Sequence, residues 1–134
     1  MAAWDDWERV RRVGEPEFKA SGTRVNVRVW AEGRLHEDWR GYFMSQVSQQ
    51  HLDAAYDGHS SGVRSSITGS CGQDDAERYI EMLDSAIDYA NTKFETDILP
   101  NLVSKESRDR QEVDAVKQRQ AALDELAKKL AKPE

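Results

Sequence analysis

The chain has 134 residues, a net charge of -6, and 33% charged against 38% apolar side chains. That length suits one domain with a modest core, and no run approaches the ~18 apolar residues of a membrane span. A single cysteine, Cys71, excludes an intrachain disulfide scaffold.

Trp4, Trp7 and Val10 recur every three residues between charged side chains, which predicts a short amphipathic N-terminal helix ended by Gly14 and Pro16. Val25, Val27 and Val29 alternate with Arg24, Asn26 and Arg28, the clearest strand pattern in the chain. Ser21-Gly22 and Glu32-Gly33 suit tight turns. Together these predict a small antiparallel β-meander over about 15–45. Its third strand competes with a helix, because Leu35, Trp39, Phe43 and Val47 are spaced by four.

Residues 57–73, rich in Gly and Ser, read as a loop. Asp74-x-x-Glu77 then has the form of a capping box. It opens a helix whose Ala76, Tyr79, Ile80, Leu83, Ala86, Ile87, Ala90, Phe94 and Ile98 make one apolar stripe. Pro100 breaks or kinks it. From about 101 to 131 the composition favours a second long helix, with acids four residues before bases at Glu106/Arg110, Asp124/Lys128 and Glu125/Lys129. The fold class expected is therefore α+β: a short N-terminal helix, a meander and two long C-terminal helices. Residues 1–99 form a small domain and 100–134 a helix for assembly or partner contact. At 1.5 Å per residue the two helices run roughly 39 and 46 Å, against a compact radius of gyration of about 14 Å. The last helix should overhang the body.

The charge is unevenly distributed. Residues 51–100 hold three basic and ten acidic side chains, while the flanking segments are nearly balanced. An acidic centre repels phosphate backbones, so nucleic acid is not an expected partner. The N-terminal segment has neither the basic nor the apolar region of a secretory signal. With one cysteine, this predicts a cytoplasmic protein, or one packed into a particle assembled there, and no membrane partner.

Three enzymatic patterns are weak. Gly58-His59-Ser60-Ser61-Gly62 matches the nucleophile elbow of serine hydrolases, but no histidine follows His59. Cys71 precedes a helix N-terminus, where the dipole favours thiolate. However, Asp74, Asp75 and Glu77 would repel an anionic substrate. His51, Asp53, Asp57 and His59 offer nitrogen and oxygen donors for a metal-dependent hydrolase, at a spacing that matches no common ligand pattern. No catalytic, cofactor or metal residue is assigned.

Two surface patterns point to protein partners. Val113, Val116, Gln120, Leu123, Ala127 and Leu130 occupy a and d positions of a heptad frame, flanked by Glu112/Lys117 and Arg119/Asp124 at g and e. That pairing, the one a parallel two-stranded coil uses, predicts self-association or docking of the last helix, against packing in cis on residues 76–98, with Trp4 and Trp7 as core residues or further anchors. Glu77, Glu81, Asp84 and Asp88 form an acidic stripe on the preceding helix, suited to an inhibitor or immunity-type protein that faces a basic partner. The leading expectation is a non-enzymatic structural or adaptor component of a larger assembly, of the kind found in bacterial or phage machinery. It requires no cofactor.

Overall fold

The computed structural model describes residues 4–57 and 64–133, with only the backbone at Asp57. The chain folds as α+β. In order, it forms a 3-10 turn at Trp4–Asp6, strands β1 (Arg11–Ser21) and β2 (Arg24–Glu32), helix α1 (Glu37–Gln49), strands β3 (Ala54–Asp57) and β4 (Arg64–Gly72), and helices α2 (Ala76–Asp97) and α3 (Leu99–Lys129). The four strands make one antiparallel sheet in the order β1-β2-β4-β3. The path through α1 carries the chain past the place that β4 later fills between β2 and β3.

The valine alternation works as read. Val27 and Val29, with Ala31, turn inward from β2 and are buried, while Arg24, Asn26 and Arg28 face solvent. The Ser21-Gly22 turn closes the first hairpin, whose last pair is Ser21 opposite Arg24. Gly14, at φ 71, lies where the β1–β2 register shifts between Val13 and Glu17. The bulge places Gly14 and Pro16 on an edge strand, where a missing N–H is tolerated.

Several expectations fail for identifiable reasons. The N-terminal helix is a single 3-10 turn closed by the Trp7 amide on the Trp4 carbonyl at 3.1 Å. A spacing of three suits that tighter geometry better than an α-helix. The third meander strand is instead α1, with Trp39, Phe43 and Val47 buried on one face. The four-residue spacing therefore carried the true signal, and Glu32-Gly33 leads into a helix instead of a hairpin.

Much of the stretch read as loop is β4, with β3 before it. In β4 Ser65, Ile67 and Cys71 point inward and are buried, but two of the three are not recognisably apolar. The residue preceding α2 is Asp75 instead of Asp74, and it makes no side-chain capping bond. The cap that does form was not foreseen: His36 Nδ1 accepts from the Asp38 amide at 3.1 Å at the start of α1.

One core lies between the sheet and the pair α1 and α2. Trp39 and Phe43 stack there at 5.5 Å between ring centroids, over Val29 and Ile67 and beside Leu83, Ala90 and Phe94. Asn91 is buried among them. Its Oδ1 accepts from the Val10 amide at 3.0 Å and from the Trp39 indole at 2.9 Å, and its Nδ2 donates to the Val10 carbonyl at 2.7 Å. These bonds tie α2 to α1 and to the segment entering β1. Helices α2 and α3 are separated by Ile98 alone, with Pro100 in the first turn of α3, where its missing N–H costs nothing.

Candidate functional site

Among the described residues, helix α3 is joined to the body only through its first two turns. Leu99 and Leu102 pack half-buried against the edge of the core, and Glu106 Oε1 accepts from the Trp4 amide. From Ser107 onward every described residue is exposed. That free stretch of α3 is roughly 35 Å long. Val113, Val116, Leu123 and Leu130 are 53%, 54%, 57% and 67% exposed, and Leu126 is 49% exposed. Gln120 and Ala127 are also exposed, the former donating to Asp124 Oδ1 at 3.0 Å. Among the described residues none of the body reaches the stripe. An exposed apolar row on one element, bordered by charge, is the usual mark of a docking surface.

Trp4 and Trp7 are used within the chain. Both rings pack against Phe94, at 5.9 and 5.0 Å between centroids, and Trp4 meets His36 edge-on at 5.4 Å. The Trp7 indole donates to the Arg34 carbonyl at 2.8 Å, and the Arg34 guanidinium lies 3.5 Å over the Trp4 ring. These contacts hold the N-terminal segment on the body. Trp4 also clamps the root of α3 through Glu106.

The acidic stripe is interrupted. Glu77, Glu81 and Asp88 are exposed, but both oxygens of Asp84 are held by the Arg12 guanidinium, at 2.8 and 3.1 Å. The basic residues beside α2 come from the N-terminal segment: Arg12, and Arg9 against Glu95 at 3.1 Å. The last helix does not fold back to neutralise this face.

The donors read as a possible metal set are partly placed. His51 leaves α1 at φ 54 and is exposed. Asp53 accepts from Ser70 Oγ at 2.7 Å, and its carbonyl accepts from the Tyr79 hydroxyl at 2.6 Å. The Asp57 side chain, His59 and the whole Gly58–Gly62 motif lie outside the described residues. Among the described residues no group of three or more His, Cys, Asp and Glu is placed to hold a metal ion.

Cys71 stands on β4 opposite Val25, four residues before Asp75, which precedes α2. Burial, and then the nearby Asp75 carboxylate, push its thiol up from the ordinary range, the opposite of nucleophile activation. Beside it lies an open depression of 320 Å³ bordered by Arg24, His51, Asp53, Asp75 and Arg78. Burial and then the charge of Asp53 push the Tyr79 phenol there up to about 12. It acts as a neutral donor to the Asp53 carbonyl, and Gly69 leaves room for that bond.

Among the described residues no helix is long and apolar enough to cross a membrane. Comparison of the chain with protein-family models, with curated proteins and with solved structures gives no match in any of the three.

Proposed function

We propose that the protein is a non-enzymatic protein-protein interaction module, a structural or adaptor component that self-associates or docks through α3. The observation that carries this reading is the exposed row Val113, Val116, Leu123 and Leu130 on a helix whose first two turns alone, among the described residues, touch the body. Leaving four large aliphatic side chains half in water forgoes about half of the 1.5–3 kcal/mol that full burial gives each. A partner that covers them recovers it. The body supplies a rigid base: the Trp4–Glu106 bond and the packing of Leu99 and Leu102 fix the root of the rod.

The test is the native mass of the chain in its own cell extract, compared with Val116→Asp/Leu123→Asp. Both positions are exposed, so neither change removes a core contact. The unaltered chain is expected in a species heavier than 15.3 kDa, and the variant as the monomer. Equal masses for the two would defeat the reading.

The acidic-face alternative keeps Glu77, Glu81 and Asp88 free for a basic partner. It loses Asp84 to Arg12. The α3 reading therefore stands first.

A further inference from the structure

We propose that the occupant of the α3 stripe is a second copy of this chain, lying antiparallel, with Val113 level with Leu130 of the partner subunit. This rests on the docking role of α3 and adds the identity, direction and register of what docks.

Direction follows from the side of the rod that the body occupies. Extending the heptad frame backward places Leu99, Leu102 and Glu106 at a, d and a, and these are the residues by which α3 holds its own body. A straight helix drifts by ~20° per heptad from that frame, about 55° from the root to the middle of the stripe, less than a quarter turn. The stripe therefore leaves the body on the side where the body sits. A parallel, in-register copy would have to push its first two turns into that same volume. In a reversed copy each body lies beyond the far end of the other rod. The two uncovered stretches then face one another along their length.

Register follows from the charges. With Val113 level with the partner's Leu130, Val116 falls beside the partner's Ala127 and Gln120 beside the partner's Leu123. The flanking Lys117 then faces the partner's Asp124, and the two-fold axis repeats that pair. Sliding the rods by one heptad in one sense sets Lys117 against the partner's Lys117. Sliding them the other way sets Asp124 against the partner's Asp124. Among these antiparallel registers, this one alone joins Lys117 to Asp124 while covering both ends of the stripe. It also ends well: Lys129, the last helical residue, comes level with Asp114 of the partner subunit, just short of the partner's body. Pairing of two copies makes the dimer fraction rise with protein concentration.

The experiment uses the full chain, purified, with buried Cys71 left in place and the unaltered protein as control. Val116→Cys/Ala127→Cys is oxidised at micromolar to submillimolar concentration, beside each single variant. The two sites are roughly 16 Å apart along one helix, beyond the ~7 Å reach of a disulfide, so a bond must join two chains. The double variant is expected to become a covalent dimer of twice 15.3 kDa, and the single variants to stay uncrosslinked. A covalent dimer from Val116→Cys alone would overturn the antiparallel direction. A purified chain that sediments as the monomer throughout would overturn pairing with a second copy. If extract mass still falls in Val116→Asp/Leu123→Asp, docking onto a different protein survives that result.

Discussion

Asn91 holds the indole N–H of Trp39 at 2.9 Å inside the core, and the same oxygen takes the Val10 amide at 3.0 Å. A single buried amide thus links three segments far apart in sequence, and its Nδ2 completes the set on the Val10 carbonyl. Because the side chain is 1% exposed, water cannot replace it. Asn91→Leu would strand two donors and one acceptor, each costing ~1–3 kcal/mol when unsatisfied. The expected loss in urea unfolding is about 3–5 kcal/mol. Trp39→Phe strands less, since the Asn91 oxygen keeps Val10, and should cost about 1–2 kcal/mol.

Gly69 and Gly41 should answer alanine in opposite senses. A Cβ at Gly69 would run into the Asp53 carbonyl and the Tyr79 hydroxyl, the pair whose bond joins the start of β3 to α2. Neither is a loose side-chain end, so Gly69→Ala is expected to cost about 2–3 kcal/mol by overpacking. Gly41 lies on the exposed side of α1 with nothing within 4 Å of a new Cβ. Gly41→Ala should raise stability by about 0.5–1 kcal/mol. Paired thermal melts decide both.

Alkaline stability should follow Tyr79. Its pKa rises on folding, from 10.0 to about 12, through burial and then the Asp53 charge. The folded state therefore holds its proton more tightly than the unfolded chain. The stabilisation tied to that proton is complete below pH 10 and is lost as pH climbs toward 12. The sign of the shift leaves no effect near neutrality. Tyr79→Phe, measured by urea unfolding from pH 9 upward, should show a flatter decline than the unaltered chain. It should also be less stable at pH 7 by about 1 kcal/mol, for the lost bond to the Asp53 carbonyl.

The parts of the fold visible in the sequence were those with one clean period. Val25, Val27 and Val29 mark β2, and the stripe from Tyr79 to Phe94 marks α2, because an alternating or helical face is written in aliphatic residues. Strand β4 escaped because its inward positions are Ser65, Ile67, Gly69 and Cys71, and small residues hide an alternation that only Ile67 announces. Their smallness has a cause in the packing, since Gly69 must admit Tyr79 and Asp53. Asn91 carried one signal, a polar residue in phase with Ile87 and Phe94. Only Val10 and Trp39 reveal its purpose, and they are 81 and 52 residues away. The exposed apolar row on α3 was legible because exposed helices keep their pattern free of tertiary demands. The body on its root side was not, because Trp4 and Glu106 are 102 residues apart.

Reversing charges on α3 separates the two directions of pairing without touching the apolar row. In the antiparallel register Lys117→Glu sets a glutamate against the partner's Asp124, twice per dimer, and Asp124→Lys sets a lysine against the partner's Lys117. Each single variant should dissociate more readily, while Lys117→Glu/Asp124→Lys restores both pairs with their signs exchanged. A parallel coil behaves otherwise. There position 117 faces the partner's Glu112 and position 124 faces the partner's Arg119, so the double reversal leaves four like-charged contacts. All four positions are exposed, and pairs of this kind contribute about 0.2–1 kcal/mol each. Sedimentation at low salt should therefore place the double variant near the unaltered chain and both single variants below it. A double variant weaker than either single one would mean that the two rods run in the same direction.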